Sequence, residues 1–306
     1  MKFRSTRDTD TNTSLSDTLV QGLASDGGLF VPIKFPDYQL DDFLELDSLS
    51  EIAVHFLQPF FNGDRLQDHL KSICDNSFTF EIPLKYIDTN LAILELFHGP
   101  TGAFKDVGAR FLAQCLGKLD MNLKILVATS GDTGSAVAAA FHEVRGVNVY
   151  VLYPKGMISD FQETQLTCWS DNITSLRIDG DFDTCQKMVK KAFSDNNLKL
   201  KHNLTSANSI NIGRLLPQCV YYVSSSISYF KQHQRSASFV IPTGNMGNAL
   251  AAIWVKEMGF PIDQIILACN ENDTIVDYIQ SNKYTPKISI RTLANAMDVG
   301  SPSNLE

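Results

Sequence analysis

The chain has 306 residues and a net charge of −8 at pH 7, with 44% hydrophobic and 20% charged residues. That is the composition of an ordinary globular protein, long enough for about two domains and for a sizeable buried core. The acidic balance excludes duplex nucleic acid and anionic membrane surfaces as main partners, because neither finds a counter-charge.

Met1 to Asp8 lacks the apolar core of a signal peptide, and no apolar run approaches a bilayer span. The expected location is therefore cytoplasmic. Six cysteines stand at 74, 115, 168, 185, 219 and 269. None forms a Cys-x-x-Cys or shows zinc spacing, so buried, reduced thiols and no metal are expected.

Residues 1 to about 85 have little strand periodicity. Gly27-Gly28 ahead of Leu29-Phe30-Val31-Pro32 reads as a turn into a short strand. Ser50 reads as the cap of a helix that ends near Pro59. From about residue 91 strands alternate with helices. Leu91 to Phe97 reads as a strand, followed by a Gly/Pro loop and a helix with Ala109, Leu112, Ala113 and Leu116 on one face. Leu123–Thr129 is a strand that turns through glycine into a helix over 136–144; strands follow at 147–153 and 173–178. Phe182, Cys185, Val189 and Ala192 share a helical stripe. Phe239–Ile241 and Ile265–Ala268 are the last strands, on either side of a helix with Leu250, Ile253 and Trp254. Such alternation implies an α/β fold of mainly parallel sheet covered by helices, with ligands beyond the carboxyl ends of the strands. The division expected is an N-terminal domain over 1–85 and an α/β domain over 86–306, with a smaller α/β part at about 110–205.

Chemistry concentrates in glycine-bearing loops. In His98-Gly99-Pro100-Thr101-Gly102-Ala103-Phe104-Lys105-Asp106, Lys105 falls at a helix start. The positive end of the helix dipole and flanking Phe104 and Val107 both disfavour its ammonium form, as a Schiff-base lysine requires. Thr129-Ser130-Gly131-Asp132-Thr133-Gly134 aims amides and hydroxyls where an anion could sit, although a plain helix cap accounts for it equally. Thr243-Gly244-Asn245-Met246-Gly247-Asn248 lets backbone amides approach a phosphate, and it is neither a dinucleotide fingerprint nor a Walker loop. In Ser206 to Arg214, Asn208 or Ser209 caps a long apolar helix. Arg214 is then either a solvated arginine or part of a second anion site.

In this order these stretches resemble the bacterial and fungal threonine synthase family, as do Leu23 to Leu29 and Asn295 to Val299. The resemblance runs nearly the whole length. It implies the tryptophan synthase β-like, fold type II architecture of pyridoxal phosphate enzymes. It further implies conversion of O-phosphohomoserine and water to threonine and phosphate. By similarity, Lys105 holds pyridoxal 5′-phosphate as a Schiff base, Gly244, Asn245, Met246, Gly247 and Asn248 bind its phosphate, and Asp132 lies near its hydroxyl. Ser130 and Thr133 face the substrate carboxylate, while Asn208, Ser209 and Arg214 take the substrate phosphate. Met246 replaces the family's usual phenylalanine at similar bulk. Pro217 lies inside a predicted helix, where it costs about 3 kcal/mol unless accommodated. The family normally continues well past the position of Glu306, so a C-terminally shortened chain is expected. Two alternatives are a shortened homologue that binds cofactor without turnover and a related fold type II hydroxyamino acid dehydratase. The oligomeric state is not readable.

Overall fold

A computed structural model describes residues 1–305, leaving aside the side chains of residues 183, 196 and 200. The N-terminal part runs β1 (Phe3–Ser5), α1 (Leu15–Gln21), β2 (Phe30–Pro32), α2 (Asp41–Leu44), α3 (Leu49–Phe61) and α4 (Leu70–Ser77). A hairpin of β3 (Leu84–Tyr86) and β4 (Ala92–Leu94) leads to α5 (Lys105–Gly117), β5 (Leu123–Ala128) and α6 (Asp132–Phe141). Next come β6 (Val147–Pro154), α7 (Asp160–Thr167), β7 (Ile173–Ile178), α8 (Phe182–Ser194), α9 (Asn196–His202) and β8 (Leu204–Ser206). Then follow α10 (Ile212–His233), β9 (Ala237–Pro242), α11 (Gly247–Glu257), β10 (Ile262–Ala268) and α12 (Thr274–Ser281).

Strands β7-β6-β5-β8 form one parallel sheet. Its side chains alternate as the strand period demands. Ile125, Val127, Val149 and Val151 enter the main core on one face, while Ala128 and Leu152 meet Cys185 and Val189 of α8 on the other. Both faces are therefore covered, as a parallel sheet requires. β9 and β10 pair in parallel as a separate two-stranded sheet. Ile241 of this pair is buried, but Val240 and Ile266 are 65% and 48% exposed, so its outer face carries no helix among the described residues.

Several local expectations change. α3 is capped by Ser48, which forms a capping box with Glu51, while Ser50 Oγ donates to Asp75. The helix continues past Pro59 to Phe61, because fully buried Phe60 and Phe61 hold its last turn in the core. β4 is only Ala92–Leu94, and Leu91 and Phe97 are exposed. α6 starts at Asp132, directly on the glycine turn, and ends at Phe141. α10 is capped by Asn211, whose side chain accepts from the Gly213 amide, rather than by Asn208 or Ser209. It passes through Pro217, in a stretch where every residue from Ile212 to Val223 is buried. Cys74, Cys115, Cys185 and Cys219 are buried, but Cys168 is exposed and Cys269 only half-buried.

One apolar core joins the N-terminal part to α5 and α10. Phe111 of α5 is its hinge pin: fully buried, it meets Phe61 edge-on at 6.1 Å and Phe78 at 6.4 Å between ring centroids. Phe111→Ala should cost about 3–5 kcal/mol. Urea unfolding checks this, and a midpoint equal to that of the unsubstituted chain would contradict the packing described.

Candidate active site

Lys105 is the first residue of α5, and Phe104 before it has helical backbone angles. The loop leading to it is closed by Asp106, whose carboxylate accepts from the Thr101 amide at 2.9 Å and the Thr101 hydroxyl at 2.7 Å. Gly99 packs on that carboxyl group; a Cβ there would come within 2.5 Å of it. The tie bends the chain so that Lys105 points inward. Its side chain is only 13% exposed, and Nζ donates to Asp132 Oδ2 at 3.1 Å. Burial pushes the Lys105 amine below the ordinary lysine value; Asp132 opposes that shift, and the Arg214 charge reinforces it.

Asp132 opens α6, immediately after Gly131, which has φ 131°. Thr129, 1% exposed, organises the turn: its hydroxyl oxygen accepts from the Gly131 amide at 3.0 Å and the Gly134 amide at 2.8 Å. Asp132 Oδ1 accepts from Gln162 Nε2 at 2.8 Å. Burial alone raises the Asp132 pKa, but Lys105 and Gln162 outweigh it and hold the carboxyl below the usual carboxylate range. Ser130 and Thr133 are half-buried on either side of this residue.

Arg214 is not solvated. It is 2% exposed, donates to the Ala207 carbonyl, and reaches the Lys105 carbonyl at 3.5 Å. Gly108 leaves room for it, since a Cβ there would lie 2.9 Å from Arg214 Nε. Burial pushes its pKa down to about 10. Its Nε has no hydrogen-bond partner and no carboxylate pairs with it among the described residues. Asn208 spends Nδ2 on the Ala128 carbonyl at 3.0 Å, tying the 207–211 turn to the end of β5.

The 243–248 loop is braced from within and from the C-terminal segment. Asn248 accepts from the Thr243 hydroxyl and donates to the Pro242 carbonyl, both at the carboxyl end of β9. Met246 takes a left-handed conformation, φ 67°, and Gly247 then starts α11. Asn245 Oδ1 accepts from the Ser303 hydroxyl at 3.1 Å. Asn304 Nδ2 bridges the Asn245 carbonyl at 2.9 Å and Ser209 Oγ at 3.2 Å. Gly247 lies against Ser209. Gly244 packs on the Met297 carbonyl, so the 295–297 turn reaches from the glycine loop to Gln162, which accepts from Asn295 Nδ2 at 3.1 Å.

A cavity of about 1560 Å³ opens over these groups, lined among others by Thr101, Phe104, Asp132, Gln162, Asn248 and Asn295. Of the residues marked by sequence, Asp132 and Asn248 line it, while Lys105, Ser130, Thr133, Asn208, Ser209, Arg214 and the 244–247 stretch do not. Gln162, Ser303 and Asn304 are not singled out by sequence, and Asn295 is marked only as the start of a family-like stretch, with no role. Only Ser159-x-x-Gln162 carried a local signal, that of a capping box, which the structure contains.

Two family models cover nearly the whole chain: "Threonine synthase N terminus" over residues 2–78 and "Pyridoxal-phosphate dependent enzyme" over residues 84–306. A threonine synthase of Haemophilus influenzae is 43% identical across 95% of this chain and 69% of its own length. The crystal structure of threonine synthase from Escherichia coli superposes with a TM-score of 0.93 at 40% identity, over all of this chain and 72% of that one. A threonine synthase from Brucella melitensis, solved with pyridoxal phosphate bound, gives 0.90 at 36% identity, covering 99% of this chain and 68% of that one. A buried lysine at a helix start, a braced glycine loop and this pattern of likeness converge: the chain belongs to the threonine synthase family of fold type II, pyridoxal phosphate-dependent enzymes.

Proposed function

We propose that this chain converts O-phospho-L-homoserine and water to L-threonine and phosphate, with pyridoxal 5′-phosphate carried on Lys105. The single observation behind it is the buried Lys105 amine, held against Asp132 beside a cavity large enough for cofactor and substrate together.

The residues present fit the cofactor. A lysine amine whose hold on its proton is weakened by burial suits Schiff-base formation with an aldehyde. Gly244, Asn245, Met246, Gly247 and Asn248 would hold its phosphate, with amides freed at the start of α11 as donors. The buried Arg214 guanidinium, whose Nε has no hydrogen-bond partner and which forms no ion pair among the described residues, supplies positive charge nearby. When bound, pyridoxal phosphate supplies the electron sink for the charge left by proton removal next to the amino group.

The chain's own groups do the rest. Lys105 Nζ is the proton carrier, because it is already positioned and its affinity for protons is lowered. Asp132 steadies its ammonium form through Oδ2 and so sets where Nζ rests. Ser130 and Thr133, at the start of α6, would receive the substrate carboxylate on hydroxyls and amides of a helix N-terminus. Asn208, Ser209 and Arg214 would take the substrate phosphate. That role needs their side chains to turn toward the cavity from the protein bonds they now make. A local cation there also offsets the repulsion that a chain of net charge −8 presents to a phosphate ester. A reducing, cytoplasmic setting suits the free thiols.

Purified protein loaded with pyridoxal phosphate should release phosphate and form threonine from O-phosphohomoserine. Release of a keto acid from threonine or serine, without phosphate chemistry, would instead identify a dehydratase. Lys105→Ala should lose covalently bound cofactor and reduce turnover by about 10²-fold or more; wild-type turnover in that variant would refute the assignment.

The pH dependence has a definite sign. Burial lowers the Lys105 pKa, so its neutral amine becomes available at a lower pH than that of free lysine. Asp132 favours the ammonium by charge and hydrogen bond; Asp132→Asn should therefore move the midpoint of cofactor uptake by the apo protein further down, by about one unit. A midpoint that stays fixed or rises contradicts the coupling.

A further inference from the structure

We propose that Gln162 is a positioning residue that holds the Asp132 carboxylate in register with Lys105 and ties that pair to the 295–297 turn. The inference rests on the reading of Lys105 as the reactive amine.

Gln162 is 8% exposed and uses both ends of its amide. Nε2 donates to Asp132 Oδ1 at 2.8 Å, while Lys105 Nζ occupies the other oxygen, Oδ2, at 3.1 Å. Oε1 accepts from Asn295 Nδ2 at 3.1 Å and from the Ser159 amide at 3.2 Å. The amide thus joins α6, α7 and the 295–297 turn at one point. Gly131 makes the approach possible: any Cβ there would stand 2.4 Å from the Gln162 amide.

A capping box alone does not explain a glutamine. At the third position of α7 the box needs only an acceptor for the Ser159 amide, and a glutamate serves there with the added favour of the helix dipole. What an ionised glutamate cannot do is donate to Asp132. The donor half of the amide is therefore the half with a function beyond the helix. When Lys105 Nζ turns away to carry a proton, Gln162 is the side-chain donor that remains on Asp132. It keeps that carboxylate ionised and aimed at the place to which the amine returns.

Gln162→Glu separates the two roles, since it keeps the cap and replaces the donor with a second negative charge. The charged groups acting on Lys105 are Asp132 of α6, Arg214 of α10 and Asp106 of α5; all three are unchanged in the variant. The apo protein is acetylated with acetic anhydride across a pH series, and labelling of Lys105 is followed by peptide mass. This reads the protonation of the amine without cofactor or turnover. Thermal unfolding and kcat and KM of the loaded enzyme are measured alongside, and Ser159→Ala serves as the capping control.

The expected result for Gln162→Glu is a labelling midpoint raised by about one pH unit, kcat lowered about tenfold or more, and a melting temperature near that of wild type. Ser159→Ala should lower the melting temperature and leave the labelling midpoint where it is. Gln162→Glu with an unchanged midpoint and kcat would overturn the proposal, as would an equal midpoint shift in Ser159→Ala. Covalent cofactor retained in Lys105→Ala would instead point to failure of the underlying assignment.

Discussion

The structure depends on keeping one lysine amine out of water while giving it a carboxylate to rest against. Burial and the Arg214 charge push the Lys105 proton off, and the Asp132 charge draws it back. The balance leaves an amine that gives up its proton more readily than a solvated lysine does. Much of the surrounding architecture serves that balance. Asp106 and Thr101 close the loop that turns the side chain inward, and Thr129 shapes the turn that brings Asp132 to it.

The parallel sheet explains why these groups meet. β5, β8 and β9 run into loops at their carboxyl ends, and each loop opens a helix or the turn before one. The N-termini of α6 and α11 therefore border one cavity, through Asp132 and Asn248. Against an acidic chain, that concentration of partial positive charge, with Arg214 behind it, makes a local environment suited to phosphate and carboxylate. The cost is a buried guanidinium whose Nε has no partner among the described residues, an arrangement more suited to holding an anion than to holding a fold together.

How much of this was legible in the sequence depends on the range of the interaction. The strand over 173–178 was readable to the residue, and Lys105 at a helix start was readable from local pattern. The cap of α3 was misread although its signal, Ser48-x-x-Glu51, was present; Ser50 was nearer the apolar run and drew the boundary two residues too late. Pro59 carries less weight as a helix breaker than its local cost suggests, because fully buried Phe60 and Phe61 override it, while Pro217 lies inside α10 as the sequence implies. The bonds from Gln162 to Asp132 and to Asn295 span 30 and 133 residues, and no periodicity carries information at that separation. Ser303 and Asn304 against Asn245 are of the same kind. Burial of Arg214 could not be read either, since an arginine early in a capped helix is ordinarily at the surface.

The most direct measurement of the central claim is chemical trapping. Protein loaded with pyridoxal phosphate is reduced with borohydride, digested, and mapped by peptide mass. The account predicts one stable pyridoxyl adduct, on the peptide containing Lys105. An adduct on a different lysine, or loaded protein that yields none, would contradict it.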